Sequence, residues 1–146
     1  MEFKFNQLTS PGDRQTNQDC MWHVIGRESA LFVVADGLGG HLSGEKASVF
    51  FCKGIAKFSK VYLKLMARYP LEAMFSWINE AIKEMRSLFD GDPSAFDAYT
   101  TCAILYRQTS RGEELASSSL FFPLFFPPFF PLFFPLFSRF RRKRQI

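Results

Sequence analysis

Val33-Val34-Ala35-Asp36-Gly37-Leu38-Gly39-Gly40-His41 reads as a short β-branched strand that ends in a carboxylate, followed at once by a glycine-dense turn. Ser43-Gly44-Glu45-Lys46-Ala47-Ser48 then opens a helix. This layout holds one Asp at a strand terminus, beside backbone carbonyls that a hard cation can approach. Asp36-Gly37 is therefore a candidate seat for Mg²⁺ or Mn²⁺. Asp-Gly is also the commonest turn dipeptide, so alone it describes a hairpin or loop just as well.

The neighbouring segments supply the scaffold. Met21 to Ile25 and Leu31 to Ala35 read as neighbouring strands, with Gly26-Arg27-Glu28-Ser29 as a hairpin turn. Ser43 to about Tyr62 reads as a helix with Ala47, Phe50, Phe51, Ile55 and Phe58 on one side. Pro70 to Leu88 is the clearest helix: Leu71, Met74, Phe75, Ile78, Ile82, Met85 and Leu88 follow the 3.6-residue period, and Pro70 suits the first turn. Phe89-Asp90-Gly91-Asp92-Pro93 ends it. Asp90, Asp92 and Asp97 are acidic enough to be weighed as metal ligands, but acidic residues after a helix are ordinarily loop chemistry, and they are read that way here. Tyr99-Thr100-Thr101-Cys102-Ala103-Ile104-Leu105 is a Thr pair leading into an apolar strand. The predicted order is β-β-α-α-β with a broken end, an α+β chain.

Upstream of the first strand, Arg14-Gln15-Thr16-Asn17-Gln18-Asp19 places an Arg five positions before an Asp in a polar run. The series R-x-x-N-Q-D, then V-x-D-G-x-G-G-H-x-x-G-x-x-A-S, then T-T and a strand, resembles the metal-dependent protein serine/threonine phosphatases, the PPM or phosphatase 2C-like family, in its bacterial branch. The likeness runs from about Phe5 to Leu115. It implies the family's αββα sandwich, two packed antiparallel sheets flanked by helices, here only in part because the C-terminal half is missing.

The resemblance also implies an activity: hydrolysis of phosphoserine and phosphothreonine in protein substrates by metal-activated water, with two Mg²⁺ or Mn²⁺ ions in the intact family. Such ions lower the pKa of a shared water and offset charge on the transferred group. By this likeness Asp36 bridges the ions, the Gly37 backbone carbonyl binds one of them, and Asp19 is a ligand or holds metal-bound water. Arg14 matches the phosphate-binding residue, a task suited to a planar guanidinium that stays charged. Without the motif, Arg14 would read as a solvated surface charge and Asp19 as a loop residue or cap. His23 and His41 are the two histidines, and His41 is read as structural or an outer hydrogen-bond partner. Leu38 stands where some members carry a His that serves as general acid, so no acid is assigned. Gln18 replaces a common Glu, weakening one contact to the second ion.

The family's later blocks, G-D-S-R and two further Asp segments, do not follow. Arg107-Gln108-Thr109-Ser110-Arg111-Gly112-Glu113-Glu114-Leu115 reads as the expected hairpin, and the pattern then stops. Residues 1–115 are read as the N-terminal part of the phosphatase domain, and 116–146 as a low-complexity tail, disordered or derived from a frameshift. From Ser117 to Ser138 every residue is Phe, Leu, Ser or Pro, the residues that codons of T and C alone encode. The expectation is a translated pyrimidine tract, from a frameshift or repeat insertion in a gene for a longer phosphatase. With only Asp19 and Asp36 offsetting two divalent ions, metal affinity falls and no turnover is expected of this chain. The rival function is a non-catalytic pseudophosphatase or binding module; a third reading is a product with no role.

Leu120 to Phe137 is apolar and long enough to span a bilayer, with a basic run after it. Pro123, Pro127, Pro128, Pro131 and Pro135 oppose a helix there, each at a cost of about 3 kcal/mol. A membrane association through this segment stays open as the lesser alternative. Arg139, Arg141, Arg142, Lys143 and Arg144 outweigh the formal net charge of +4, so the basic balance says nothing of the body's partners, and no nucleic acid is expected. No signal peptide is read at Met1-Glu2-Phe3-Lys4, and Cys20, Cys52 and Cys102 are three widely spaced thiols that fit a reducing cytoplasm. A half-sandwich also leaves sheet edges and one apolar face uncovered, so poor stability or aggregation is expected of the isolated chain.

Overall fold

The computed structural model describes residues 4–38 and 43–108, apart from the side chains of 96 and 97, together with the backbone of 120–121 and 124–126. Strands β1 (Asp19–Ile25) and β2 (Ser29–Gly37) form a hairpin, closed by the Gly26 N–H donating to the Ser29 carbonyl at 2.7 Å. Helices α1 (Gly44–Met66) and α2 (Pro70–Leu88) follow, then a short 3₁₀ turn, Pro93–Asp97, and strand β3 (Thr100–Gln108). β2 is central, antiparallel to β1 on one side and to β3 on the other. The chain is thus α+β, a sheet with one layer of helices. Each element begins or ends within a few residues of where periodicity placed it, and α2 matches residue for residue.

Two short strands, β4 (Leu120–Phe121) and β5 (Leu124–Phe126), lie antiparallel along β3. Tyr106 is opposite Leu120 and Thr100 is opposite Phe126, so both keep one register along β3. Phe122-Pro123 lies between the two strands in the sequence and outside the described residues. The expected bare edge of β3 is therefore paired along part of its length. Phe is a strand-favouring residue whatever the origin of the segment. The Arg107–Leu115 hairpin beyond Gln108 lies outside the described residues, as do His41 and the Gly39-Gly40 turn.

Alternation along the strands gives the sheet two unlike faces. Leu31, Val33, Ala35 of β2 and Cys102, Ile104, Tyr106 of β3 are buried against the helices. From α1 come Phe51, Cys52 and Ile55, and from α2 Met74, Trp77, Ala81 and Met85. The helices cross closely at Gly54, where a Cβ would stand 2.7 Å from the Ala81 Cα. Trp77 is wholly buried there and its indole N–H donates to the Ile55 carbonyl at 2.9 Å. Such a donor, if orphaned inside, would cost about 1–3 kcal/mol.

The opposite face carries Met21, His23, Phe32, Val34, Ala103 and Leu105, placed together by the strand registers. Val34 is 44% exposed and Leu105 40%. Phe5 packs on part of this face, its ring centroid 4.2 Å from His23 and 5.5 Å from Phe32. The uncovered apolar face expected of a half-sandwich is present among the described residues. Asp90 and Asp92 take the loop role read for them. Asp92 caps the 3₁₀ turn, accepting from the Ser94 N–H at 2.9 Å, and its other oxygen pairs with Lys46 at 2.6 Å. The Asp97 side chain lies outside the described residues.

Candidate functional site

The R-x-x-N-Q-D run makes a turn that leads into β1. The Asn17 side-chain oxygen accepts from the Asp19 N–H at 3.0 Å, and its amide donates to the Thr9 hydroxyl at 2.7 Å. Asn17 thereby sets the direction in which Asp19 leaves the turn, an Asx-type use of a short amide. Arg14 reaches back over this turn, and its guanidinium donates to the Gln18 side-chain oxygen at 3.2 Å. Gln18 thus holds the arginine.

Asp19 opens β1 and Asp36 nearly closes β2, and the register sets them directly opposite each other. Both lie on the sheet face away from the helices, at its end. Their carboxyl groups lie close enough to act on each other. Desolvation pushes the Asp36 carboxyl above its usual range, and the hydrogen bond and charge of Asp19 push it the same way. The Arg14 guanidinium acts in the opposite sense. A carboxyl whose ionised form is opposed by desolvation and by the carboxylate facing it marks a site short of positive charge.

The backbone around Asp36 is held from three sides. Thr100 donates its hydroxyl to the Asp36 carbonyl at 3.0 Å, and Thr101 reaches the same atom at 3.4 Å. The Gly37 N–H donates to the Gln18 carbonyl at 3.0 Å, and the Ser48 hydroxyl to that same carbonyl at 2.7 Å. The Leu38 N–H donates to the Tyr99 carbonyl at 3.1 Å. Helix α1 starts against this point. A Cβ on Gly37 would collide with the carbonyl group of Gly44 and stand 2.9 Å from its Cα, and one on Gly44 would lie 2.7 Å from the Leu38 carbonyl oxygen. Glycine is required at both positions by close backbone approach, since Gly37 has no positive φ.

The structure brings together Asp19, Asp36, Gly37 and Arg14, the four residues singled out in the sequence. Among the described residues, no group of three or more His, Cys, Asp or Glu side chains that could hold a metal assembles. The donors are right in kind for a hard cation, all oxygen, and their charge balances one divalent ion rather than two. Sequence reading assigned no task to Thr100, Thr101, Ser48 or Asn17. Thr100 and Ser48 are fully buried polar residues at the strand end, a pattern that motif spacing marks but cannot interpret.

No family model matches the chain, and no curated protein matches it in sequence. Among solved structures it is similar to the crystal structure of the Mycobacterium tuberculosis serine/threonine phosphatase PstP/Ppp, with a TM-score of 0.54 and 18% sequence identity. The match covers 76% of this chain and 41% of that one, so the chain spans well under half the length of the phosphatase it resembles. The likeness is one of fold, and the chain holds part of such an architecture.

Proposed function

We propose that this chain is the N-terminal part of a metal-dependent phosphoprotein phosphatase, acting on phosphoserine or phosphothreonine in the whole protein. The observation that carries the reading is the direct pairing of Asp19 with Asp36 beside the Arg14 guanidinium. Asp19 and Asp36 would hold one Mg²⁺ or Mn²⁺ ion, with the Gly37 carbonyl as a third oxygen. When bound, the ion supplies charge neutralisation for the phosphate group and a lowered pKa for water. Arg14, loosely tied to Gln18, would turn its free N–H groups to phosphate oxygens, where a fork of donors gives paired contacts. The two threonine hydroxyls on the Asp36 carbonyl keep the acidic pair at its place. With only two carboxylates, turnover by this chain alone is expected to be absent or very low. A phosphoprotein would be the partner and the cytoplasm, where three free thiols persist, the compartment. Among the described residues no helix is long and apolar enough to cross a membrane.

The second reading, a non-catalytic module, is favoured because, among the described residues, no third His, Cys, Asp or Glu side chain joins Asp19 and Asp36 in a group that could hold a metal. Titration with Mn²⁺ followed by calorimetry, together with hydrolysis of a generic aryl phosphate, separates the two. Metal binding by the parent chain that Asp36→Asn abolishes supports the metal-dependent reading, and any hydrolysis above the variant adds turnover to it. No metal binding by the folded parent chain would defeat the metal-dependent reading and leave the module.

A further inference from the structure

Three thiols from three distant parts of the chain meet under the sheet, away from the acidic pair. Cys20 of β1 is opposite Ala35 of β2, and Ala35 is opposite Cys102 of β3, so one row across the sheet reads Cys-Ala-Cys on the helix side. Cys52 of α1 sits above it. The Cys52 thiol donates to the Cys20 carbonyl at 3.6 Å, and Cys20 itself packs against the same core, which sets the two residues side by side. Cys20 is half-buried, whereas Cys52 and Cys102 are each only 3% exposed. Among the described residues this cluster is no metal site.

We propose that Cys20 and Cys52 are a peroxide-oxidisable pair that closes into a disulfide joining β1 to α1, leaving Cys102 reduced. Geometry selects the pair. Cys20 and Cys102 are separated by the width of β2, two strand spacings or about 9.6 Å. That exceeds the roughly 7 Å between Cα atoms beyond which a bridge needs backbone movement. Cys52 has its hydrogen-bonding contact with Cys20, on the wetter side of the cluster. Cys20, the most accessible of the three, meets the oxidant first. Its sulfur, as thiolate, attacks one oxygen of hydrogen peroxide, the O–O bond breaks, and a sulfenic acid and water form once a proton is taken up. The Cys52 sulfur then attacks the Cys20 sulfur, the S–O bond breaks, and water leaves with the Cys52 proton. In sum two thiols lose two electrons and one peroxide becomes two waters. The bond would fasten the start of β1, and so Asp19, to the middle of α1. None of this depends on the phosphatase reading.

The test is peptide mapping of the full chain after brief peroxide treatment, alkylation of remaining thiols and trypsin digestion without reductant. Each cysteine falls in its own peptide, 15–27, 47–53 and 87–107. The expected product is 15–27 linked to 47–53, with 87–107 alkylated and the link removed by dithiothreitol. The same treatment in denaturant should scramble the pairing. Cys102→Ala should leave the link intact, while Cys20→Ala and Cys52→Ala should each abolish it. A link to 87–107, Cys20 sulfinic acid with no bridge, three alkylated thiols, or the same pairing mixture in native and denatured protein would each overturn the proposal.

Discussion

Gly37→Ala is the substitution that best separates the close packing of the site from ordinary turn chemistry. The added Cβ would meet the Gly44 backbone, with the Cα 2.9 Å away and the carbonyl group nearer still. Ordinary contact starts near 3.4 Å, so the first turn of α1 must retreat by more than about an ångström to clear the Gly44 carbonyl group. Overpacking of this kind costs about 1–3 kcal/mol, toward the upper end where the obstacle is backbone. The retreat also stretches the Ser48 hydrogen bond to the Gln18 carbonyl, now 2.7 Å, worth about 1 kcal/mol. Against this, alanine restricts the unfolded chain and returns about 0.4–1 kcal/mol. The net loss is about 2–3 kcal/mol, or roughly 10–20 °C in Tm for a domain of this size. Gly12→Ala is the comparator: Gly12 has φ +60° and nothing within 4 Å of a Cβ, so only backbone strain of about 1–2 kcal/mol applies. Both are read by urea and thermal unfolding followed by circular dichroism. If Gly37→Ala loses less stability than Gly12→Ala, the close approach of α1 to the strand end is refuted.

Four further outcomes follow from the same geometry. Asp36→Asn should raise the metal-free Tm and remove any rise on adding Mn²⁺. The raised carboxyl of Asp36 means that the folded chain binds more protons than the unfolded one above the ordinary carboxylate range, so stability falls as pH rises through that window and the amide escapes this. Lys46→Ala should raise the Asp92 carboxyl from about 2 toward its ordinary value, seen by carboxyl NMR titration; the present depression stabilises above the unfolded value and is lost as pH falls toward about 2. Trp77→Phe should cost about 2–3 kcal/mol in urea unfolding, by leaving space and removing the donor to the Ile55 carbonyl. Val34→Thr with Leu105→Thr, on the helix-free face, should lower light scattering at high protein concentration with little change in Tm, whereas unchanged association would show that the face is not what drives it.

What the sequence disclosed depended on how local the cause was. α2 was legible to its ends because its apolar residues keep one period and Pro70 marks the start. The β1–β2 hairpin was legible from Gly26-Arg27-Glu28-Ser29, and its short turn carries the register that faces Asp19 with Asp36. The Cys20-Ala35-Cys102 row was not, since it needs β3 to pair with β2 across two helices. The approach of Gly54 to Ala81 was hidden for the same reason, as a glycine inside a helix announces no partner. Leu120 to Phe126 escaped notice for another: uniform Phe and Leu have no alternation, so composition was visible where pairing was not.

The acidic pair and the apolar face lie on the same side of the sheet, and this links the two incomplete features of the chain. Asp19, Asp36 and Thr101 stand at the end of a surface that continues into Met21, Val34 and Ala103. On the helix side every strand residue from Leu31 to Tyr106 that points inward is covered, and the buried polar groups Thr100 and Ser48 have partners. On the other side, among the described residues, the charge of the carboxylates is met only in part by Arg14 and the apolar area is covered only in part by Phe5. A layer added there would cover Val34 and Leu105 and could bring further oxygen ligands to the edge where Asp36 waits. The two deficits therefore have one geometric remedy. A segment or partner that covers the face without supplying acidic groups at that edge would stabilise the fold and leave the metal affinity unchanged, whereas one that supplies them would raise both together.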